Sequence, residues 1–165
     1  MKEETTFVLS MAPVRVWTHL ADLEAYEYWH PSYRFEEAAA AGRTIDLTYA
    51  LFRRGYRTRA EATITAFDKP HLIAWSIGIG GGAVFRESYE LEAVGTGTQI
   101  RHEIAFESFA GKLVGKLFRR TFGGTLRAQD LAFLSYLKKD LRSGDAGLNR
   151  HRRRARKARR TDNDG

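Results

Sequence analysis

Hydrophobic and polar positions divide the chain into three stretches. Residues 3–10 (Glu-Glu-Thr-Thr-Phe-Val-Leu-Ser) read as a first strand. Pro13 suits the first turn of a helix, where its missing N–H costs nothing, and Val14, Trp17 and Leu20 follow at helical spacing. Asp22 is placed to cap a second short helix through Tyr28, and Pro31 ends that region. From 33 to 107 the pattern is strand-like, over 33–38, 44–52, 56–67, 71–79, 83–93 and 98–107. Turn signals separate these segments: Ala41-Gly42, Arg53-Arg54-Gly55, Asp68-Lys69-Pro70, Gly80-Gly81-Gly82 and Gly95-Thr96-Gly97. Connections this short predict an antiparallel meander. From about Ala110 to Arg142 the pattern becomes helical, with one stripe of Leu113, Val114, Leu117, Phe118 and Phe122 and another of Leu126, Phe133, Leu134, Leu137 and Leu141. Gly123-Gly124 lies between the stripes and predicts a kink, since each glycine weakens a helix by roughly 1 kcal/mol relative to alanine.

Turn lengths fix the strand registers. A tight turn over Val94–Gly97 sets Leu91 opposite Ile100 and Tyr89 opposite His102. A three-residue loop at Gly80–Gly82 puts Ile73, Trp75 and Ile77 on the face of Phe85 and Tyr89, whereas a two-residue loop reverses the parity. A four-residue turn over Asp68–His71 extends that face along the preceding strand. The predicted inward surface is Ala60, Ala62, Ile64, Ala66, Ile73, Trp75, Ile77, Phe85, Glu87, Tyr89, Leu91, Ile100, His102, Ile104 and Phe106. The expected architecture is α+β: a curved antiparallel seven-stranded sheet wrapped around a long C-terminal helix, with two short helices after the first strand.

Length and composition narrow this picture. The 165 residues suit one domain, and with 43% hydrophobic residues a real core is available, which excludes wholesale disorder. Without cysteine there are no disulfides, thiolate metal sites or cysteine nucleophiles. No apolar run approaches the roughly 20 residues of a membrane span, and the start lacks a signal-peptide stretch. A cytoplasmic protein with no integral membrane segment is expected. The net charge is +7, but residues 143–165 hold eight Lys/Arg and three Asp and so carry most of it. The expected organisation is a folded domain over 1–142 and a basic, disordered tail over 143–165.

The order of several short segments resembles the START-like, or SRPBCC, superfamily and its polyketide cyclase/dehydrase-like members. The segments are Phe7-Val8-Leu9, Ala12-Pro13-Val14-Arg15-Val16-Trp17, Asp22 through Pro31, Phe67-Asp68-Lys69-Pro70 with Leu72-Ile73-Ala74-Trp75, Gly95-Thr96-Gly97-Thr98, and Leu126 leading into the last helix. The resemblance covers roughly residues 3 to 142. It implies a helix-grip fold with a cavity between sheet and long helix that binds lipids, polyketides, hormones or other apolar ligands. It supplies no universal catalytic motif.

Three polar-capable side chains, Glu87, Tyr89 and His102, fall on the apolar inward face. A buried carboxylate needs partners or a raised pKa. The trio either hydrogen-bonds internally and shapes the pocket, or shuttles a proton in an aldol-type cyclisation or dehydration. Expected ligand contacts are Trp29, Tyr49, Leu51, Ala60, Ala62, Ile64, Trp75, Ile77, Phe85, Ile104, Phe118 and Phe122, with the small alanines leaving volume. The histidines (His19, His30, His71, His102, His151) show no metal-ligand spacing, and neither a metal nor a cofactor is expected. Gly78–Gly82 lacks the helix and Lys-Ser/Thr of a phosphate loop and reads as a hairpin. Lys112, Lys116, Arg119 and Arg120 lie on one helical face, read as a solvated face moderated by Glu107 and Asp130, with attraction to an anionic membrane surface or an acidic carrier as the alternative. Arg53, Arg54, Arg57 and Arg59 cluster around one hairpin.

The function expected from these readings is binding of a hydrophobic or aromatic small molecule, lipid-like or polyketide-like, by a monomer or homodimer. The alternatives are a polyketide cyclase/dehydratase-like enzyme, or a chaperone-cofactor or interaction module. A weak contact of Arg150–Arg160 with anionic nucleic acid or lipid is a separate expectation.

Overall fold

Alternating burial along one long strand sets the frame of the molecule. In the computed structural model, which describes residues 2–50, 57–78, 83–107 and 111–143 (backbone only at 107, 111–122, 142 and 143), Phe85, Glu87, Tyr89 and Leu91 all point inward from β6, Val84–Val94. The other strands are β1 (Lys2–Leu9), β2 (Tyr33–Phe35), β3 (Thr44–Tyr49), β4 (Thr58–Asp68), β5 (Leu72–Gly78) and β7 (Gly97–Glu107). They form one antiparallel sheet in the order β1-β7-β6-β5-β4-β3-β2. The predicted pairs Leu91↔Ile100 and Tyr89↔His102 are the observed ones, and the pairs Ile77↔Phe85 and Ile73↔Tyr89 put the β5 residues on the predicted face. Parity decided this, because a one-residue slip would have turned every side chain over.

One stretch of register departs from expectation. Ile64 faces Trp75, but the next pairs are Ala66↔Ala74 and Phe67↔Ile73, so β4 carries a bulge between Ile64 and Ala66. Ala66 is therefore displaced from the inward row, and Phe67 takes the position opposite Ile73. The larger ring gains more from that place. It meets Trp17 edge-on, with centroids 5.2 Å apart.

Helix α1 (Pro13–Leu20) starts on its proline and buries Val16, Trp17 and Leu20, leaving Val14 half-exposed. A 3-10 helix over Leu23–Tyr28 follows, and its Tyr26 hydroxyl donates to the Leu20 carbonyl at 3.0 Å. Helix α2 (Gly111–Ser143) packs on β1 and β7 and passes Gly123-Gly124 without interruption. Its buried row is Leu126, Gln129, Asp130, Phe133, Tyr136 and Leu137. Leu134 is only partly buried and Leu141 is exposed, contrary to the expected stripe. The inward sheet face, α1, the 3-10 helix and this row enclose one core. Each fully buried aliphatic side chain there contributes roughly 1.5–3 kcal/mol over exposure.

The expected tail beyond Ser143, the Gly80–Gly82 loop and Leu51 lie outside the described residues. Among the described residues no helix is long and apolar enough to cross a membrane.

Candidate functional site

A chain of buried polar groups runs from β1 through α2 into the middle of the sheet. Thr5 Oγ1 donates to Asp130 Oδ2 at 2.6 Å. Asp130 Oδ1 lies 2.7 Å from His102 Nδ1, and His102 Nε2 lies 3.0 Å from Glu87 Oε1. With a carboxylate at each ring nitrogen, His102 donates from both and is an imidazolium. His102 and Glu87 are 0% and 1% exposed. The Tyr89 ring stacks on the His102 ring at 4.0 Å, and its hydroxyl stands 3.4 Å from Glu87 Oε1. The register thus brings Glu87, Tyr89 and His102 together. Asp130 is not a moderator of a solvated face: α2 turns it inward, onto His102.

A second histidine approaches Glu87 from the other side. His30 follows the 3-10 helix, and its Nδ1 accepts the backbone N–H groups of Ser32 (3.2 Å) and Tyr33 (2.9 Å). Its proton therefore sits on Nε2, which points at Glu87 Oε1 across 3.8 Å. The His30 ring lies between those of Tyr26 and Tyr33, stacked at 5.1 and 4.6 Å.

These contacts set the charges. Burial pushes the Glu87 carboxyl up, but the hydrogen-bonded His102 imidazolium, with the His30 N–H edge 3.8 Å away, outweighs it and holds the group at about 2. Burial lowers His102, yet bonds to Asp130 and Glu87 leave it above its usual value. Burial dominates at His30, whose pKa is lowered. Tyr26, Tyr33 and Tyr89 are pushed well up by burial and by the Glu87 charge, so their hydroxyls stay protonated.

Several polar atoms in this interior have no hydrogen-bond partner. Among the described residues they include His30 Nε2, Tyr33 Oη, Glu87 Oε2, the indole nitrogens of Trp29 and Trp75, and both amide atoms of Gln129. Buried polar groups are ordinarily paired, with protein or with ordered water.

Of the expected ligand contacts, Ala62, Ile64, Trp75, Ile77, Phe85 and Ile104 are buried on the inward face. Trp29 is buried against Phe133 and Tyr136, with centroids at 5.0 and 6.1 Å. Tyr49 and Ala60 are partly buried on β3 and β4. Phe118 and Phe122 belong to α2, but their side chains, like all of Leu51, lie outside the described residues. Sequence reasoning missed His30, Tyr33, Asp130 and Thr5. A signal for Asp130 was present, since Gln129-Asp130 stands at the i+3, i+4 position between Leu126 and Phe133, where an inward residue belongs. Among the described residues no group of three His, Asp or Glu side chains is arranged to hold a metal ion.

A helix-grip sheet whose inward face carries a polar cluster defines a class, and comparison with known proteins fixes the family. The family described as polyketide cyclase / dehydrase and lipid transport matches residues 2–136, and the chain belongs to it. Solved structures share the fold. Protein Ms6760 from Mycobacterium smegmatis is 14% identical with a TM-score of 0.64, covering 84% of this chain and 91% of that one. TTHA0849 from Thermus thermophilus is 16% identical with a TM-score of 0.60, over 82% and 99%. NE0264 from Nitrosomonas europaea is 13% identical with a TM-score of 0.60, over 85% and 97%. No curated protein sequence matches the chain.

Proposed function

We propose that this protein binds an apolar, aromatic-faced small molecule between the inward face of the sheet and α2. The supporting observation is the set of unpartnered atoms, His30 Nε2, Tyr33 Oη and Glu87 Oε2, inside an interior otherwise built of aromatic and aliphatic side chains. Apolar walls with a few convergent polar groups are the usual composition of a small-molecule site. The family description, with its reference to lipid transport, agrees with this reading. The test is titration with prodan, a neutral naphthalene ketone that emits further to the blue in apolar surroundings. A saturable blue shift, with a one-to-one complex in native mass spectrometry, is expected. Emission unchanged from that in water, with no binding of other neutral naphthalene probes either, overturns the reading.

A second reading is an enzyme of the cyclase or dehydratase type using Glu87, Tyr89 and His102. It is favoured by a buried carboxylate with one bare oxygen beside an imidazole N–H. In that reading Glu87 is the proton acceptor. Both nitrogens of His102 are engaged, so His102 positions Glu87. Turnover of a poly-β-ketone mimic that vanishes in Glu87→Gln supports it; equal rates in Glu87→Gln and wild type remove it.

A further inference from the structure

The polar cluster has a definite charge and a definite pattern of donors and acceptors, and together they specify what functional group fits. Glu87 and Asp130 are two carboxylates bridged by one imidazolium, so the buried chain carries one net negative charge. The remaining bond to Asp130 comes from the neutral Thr5 hydroxyl. The His30 ring adds no charge, because its Nδ1 is used as an acceptor by two backbone N–H groups. The arginine whose charge reaches His30 is Arg57. It is exposed, and it donates at 3.4 Å to the Ser32 carbonyl at the edge of the site.

The unpartnered atoms are of both kinds. His30 Nε2–H and Tyr33 Oη–H are donors without acceptors. Glu87 Oε2 is an acceptor without a donor. His30 Nε2 stands 3.8 Å from the Glu87 carboxylate, too far for a direct bond. Tyr33 lies flat against His30, its hydroxyl is turned toward the Glu87 carboxylate, and it makes no hydrogen bond of normal geometry. A group placed among them must both give and accept a hydrogen bond. An ether or ketone leaves Glu87 Oε2 bare. A carboxylate has no proton to give and brings a second negative charge into a low-dielectric interior.

Resting on the ligand-binding reading above, we propose that the site selects a neutral hydroxyl on an aromatic or polycyclic ligand. That hydroxyl donates to Glu87 Oε2 and accepts from His30 Nε2–H, with Tyr33 Oη–H as a second donor, and carboxylates are rejected. The ionised, acceptor-only state of Glu87 is in accord with the low pKa that its bond to His102 imposes against burial.

The experiment uses wild-type protein near neutral pH and four probes of one ring system: 2-naphthol, 2-methoxynaphthalene, naphthalene and 2-naphthoate, each titrated by calorimetry beside prodan. 2-Naphthol should bind roughly tenfold or more tightly than the methyl ether or the hydrocarbon, the scale of a hydrogen bond to a charged group. 2-Naphthoate should bind most weakly. In Glu87→Gln the preference for naphthol over its ether should shrink to roughly threefold or less. Equal affinities for naphthol and its ether, the result expected if a water molecule alone satisfies the polar atoms, overturn the proposal. Naphthoate binding as tightly as naphthol also overturns it, while leaving ligand binding intact. Failure of prodan and all four probes removes both. The wild-type series decides the matter even if Glu87→Gln does not fold.

Discussion

Asp130, on the C-terminal helix, bonds to Nδ1 of His102 at 2.7 Å across 28 residues of sequence. The contact ties the helix to the centre of the sheet with a buried, charge-assisted hydrogen bond, and His102 passes the constraint to Glu87.

Removal of one partner leaves a charged imidazolium facing an empty place. Asp130→Ala should therefore cost about 3 kcal/mol or more of folding stability. Thr5→Val, which removes only a hydroxyl donor, should cost about 1 kcal/mol. Urea denaturation measures both. Equal small losses in the two variants would show that the Asp130–His102 pair carries no special weight.

Acid should destabilise the protein in two steps. His30 has a lowered pKa, so the folded state resists its protonation and stability falls as pH drops below about 6.5, its ordinary value. Glu87 is held at about 2 against an ordinary 4.5, so a contribution of about 3 kcal/mol, present above 4.5, is lost on going down towards 2. His102 acts in the opposite sense. Its pKa is raised, so its contribution is complete below 6.5 and disappears as pH rises through the folded value. Stability against pH should thus slope down on both sides of neutrality, and Glu87→Gln should flatten the segment between 2 and 4.5.

Tyr33→Phe and Gln129→Met delete polar atoms that have no partner. Each should leave stability unchanged or raise it by about 1 kcal/mol, because an unsatisfied buried group is a cost. Tyr33→Phe should nevertheless weaken naphthol binding several-fold. Thermal unfolding and calorimetry on the same samples separate the effects. A large loss of stability in either variant would mean that the atom is paired in solution.

Gly97 opens β7 with φ of +148°, and a Cβ there would lie 2.0 Å from the Leu9 carbonyl oxygen and 2.8 Å from the Met11 nitrogen. Both are backbone atoms, so nothing swings aside. Gly97→Ala should cost about 2–3 kcal/mol and loosen the end of β1. Gly95→Ala, with open space around it, is the control. Hydrogen exchange at Leu9 and Met11 would report the loosening.

The meander is legible in the sequence because two independent signals coincide there. Period-two alternation gives each strand a face, and turn length fixes which faces match. That logic places Tyr89 opposite His102 and puts Glu87 on the same surface. It fails at Ala66 because Ala66 and Phe67 are both apolar neighbours, and alternation alone does not say which turns inward. The competition for space beside Trp17 decides for Phe67. The site is only half legible for a related reason. Its remaining members come from β1, the segment after the 3-10 helix, and α2, and no local pattern relates Thr5 to Asp130, 125 residues away. Asp130 reads as a surface charge because helical acids usually are, and only its place between Leu126 and Phe133 argues otherwise. Metal-ligand spacing says nothing of His30, whose role rests on two backbone N–H groups that hold its ring.

The reach of the Thr5–Asp130–His102–Glu87 chain also bears on the order of assembly. Glu87 and His102 meet within one hairpin, a contact of short loop closure. Thr5 reaches His102's strand only when β1 closes against β7, and Asp130 arrives only when α2 docks. Those contacts carry the largest loop-closure entropy in the network. A partly folded chain with its central hairpins formed would therefore possess the carboxylate and the imidazole but not their alignment. If the proposed ligand is bound there, its recognition would serve as a proofreading signal, present only in molecules in which β1 and α2 have docked on the sheet.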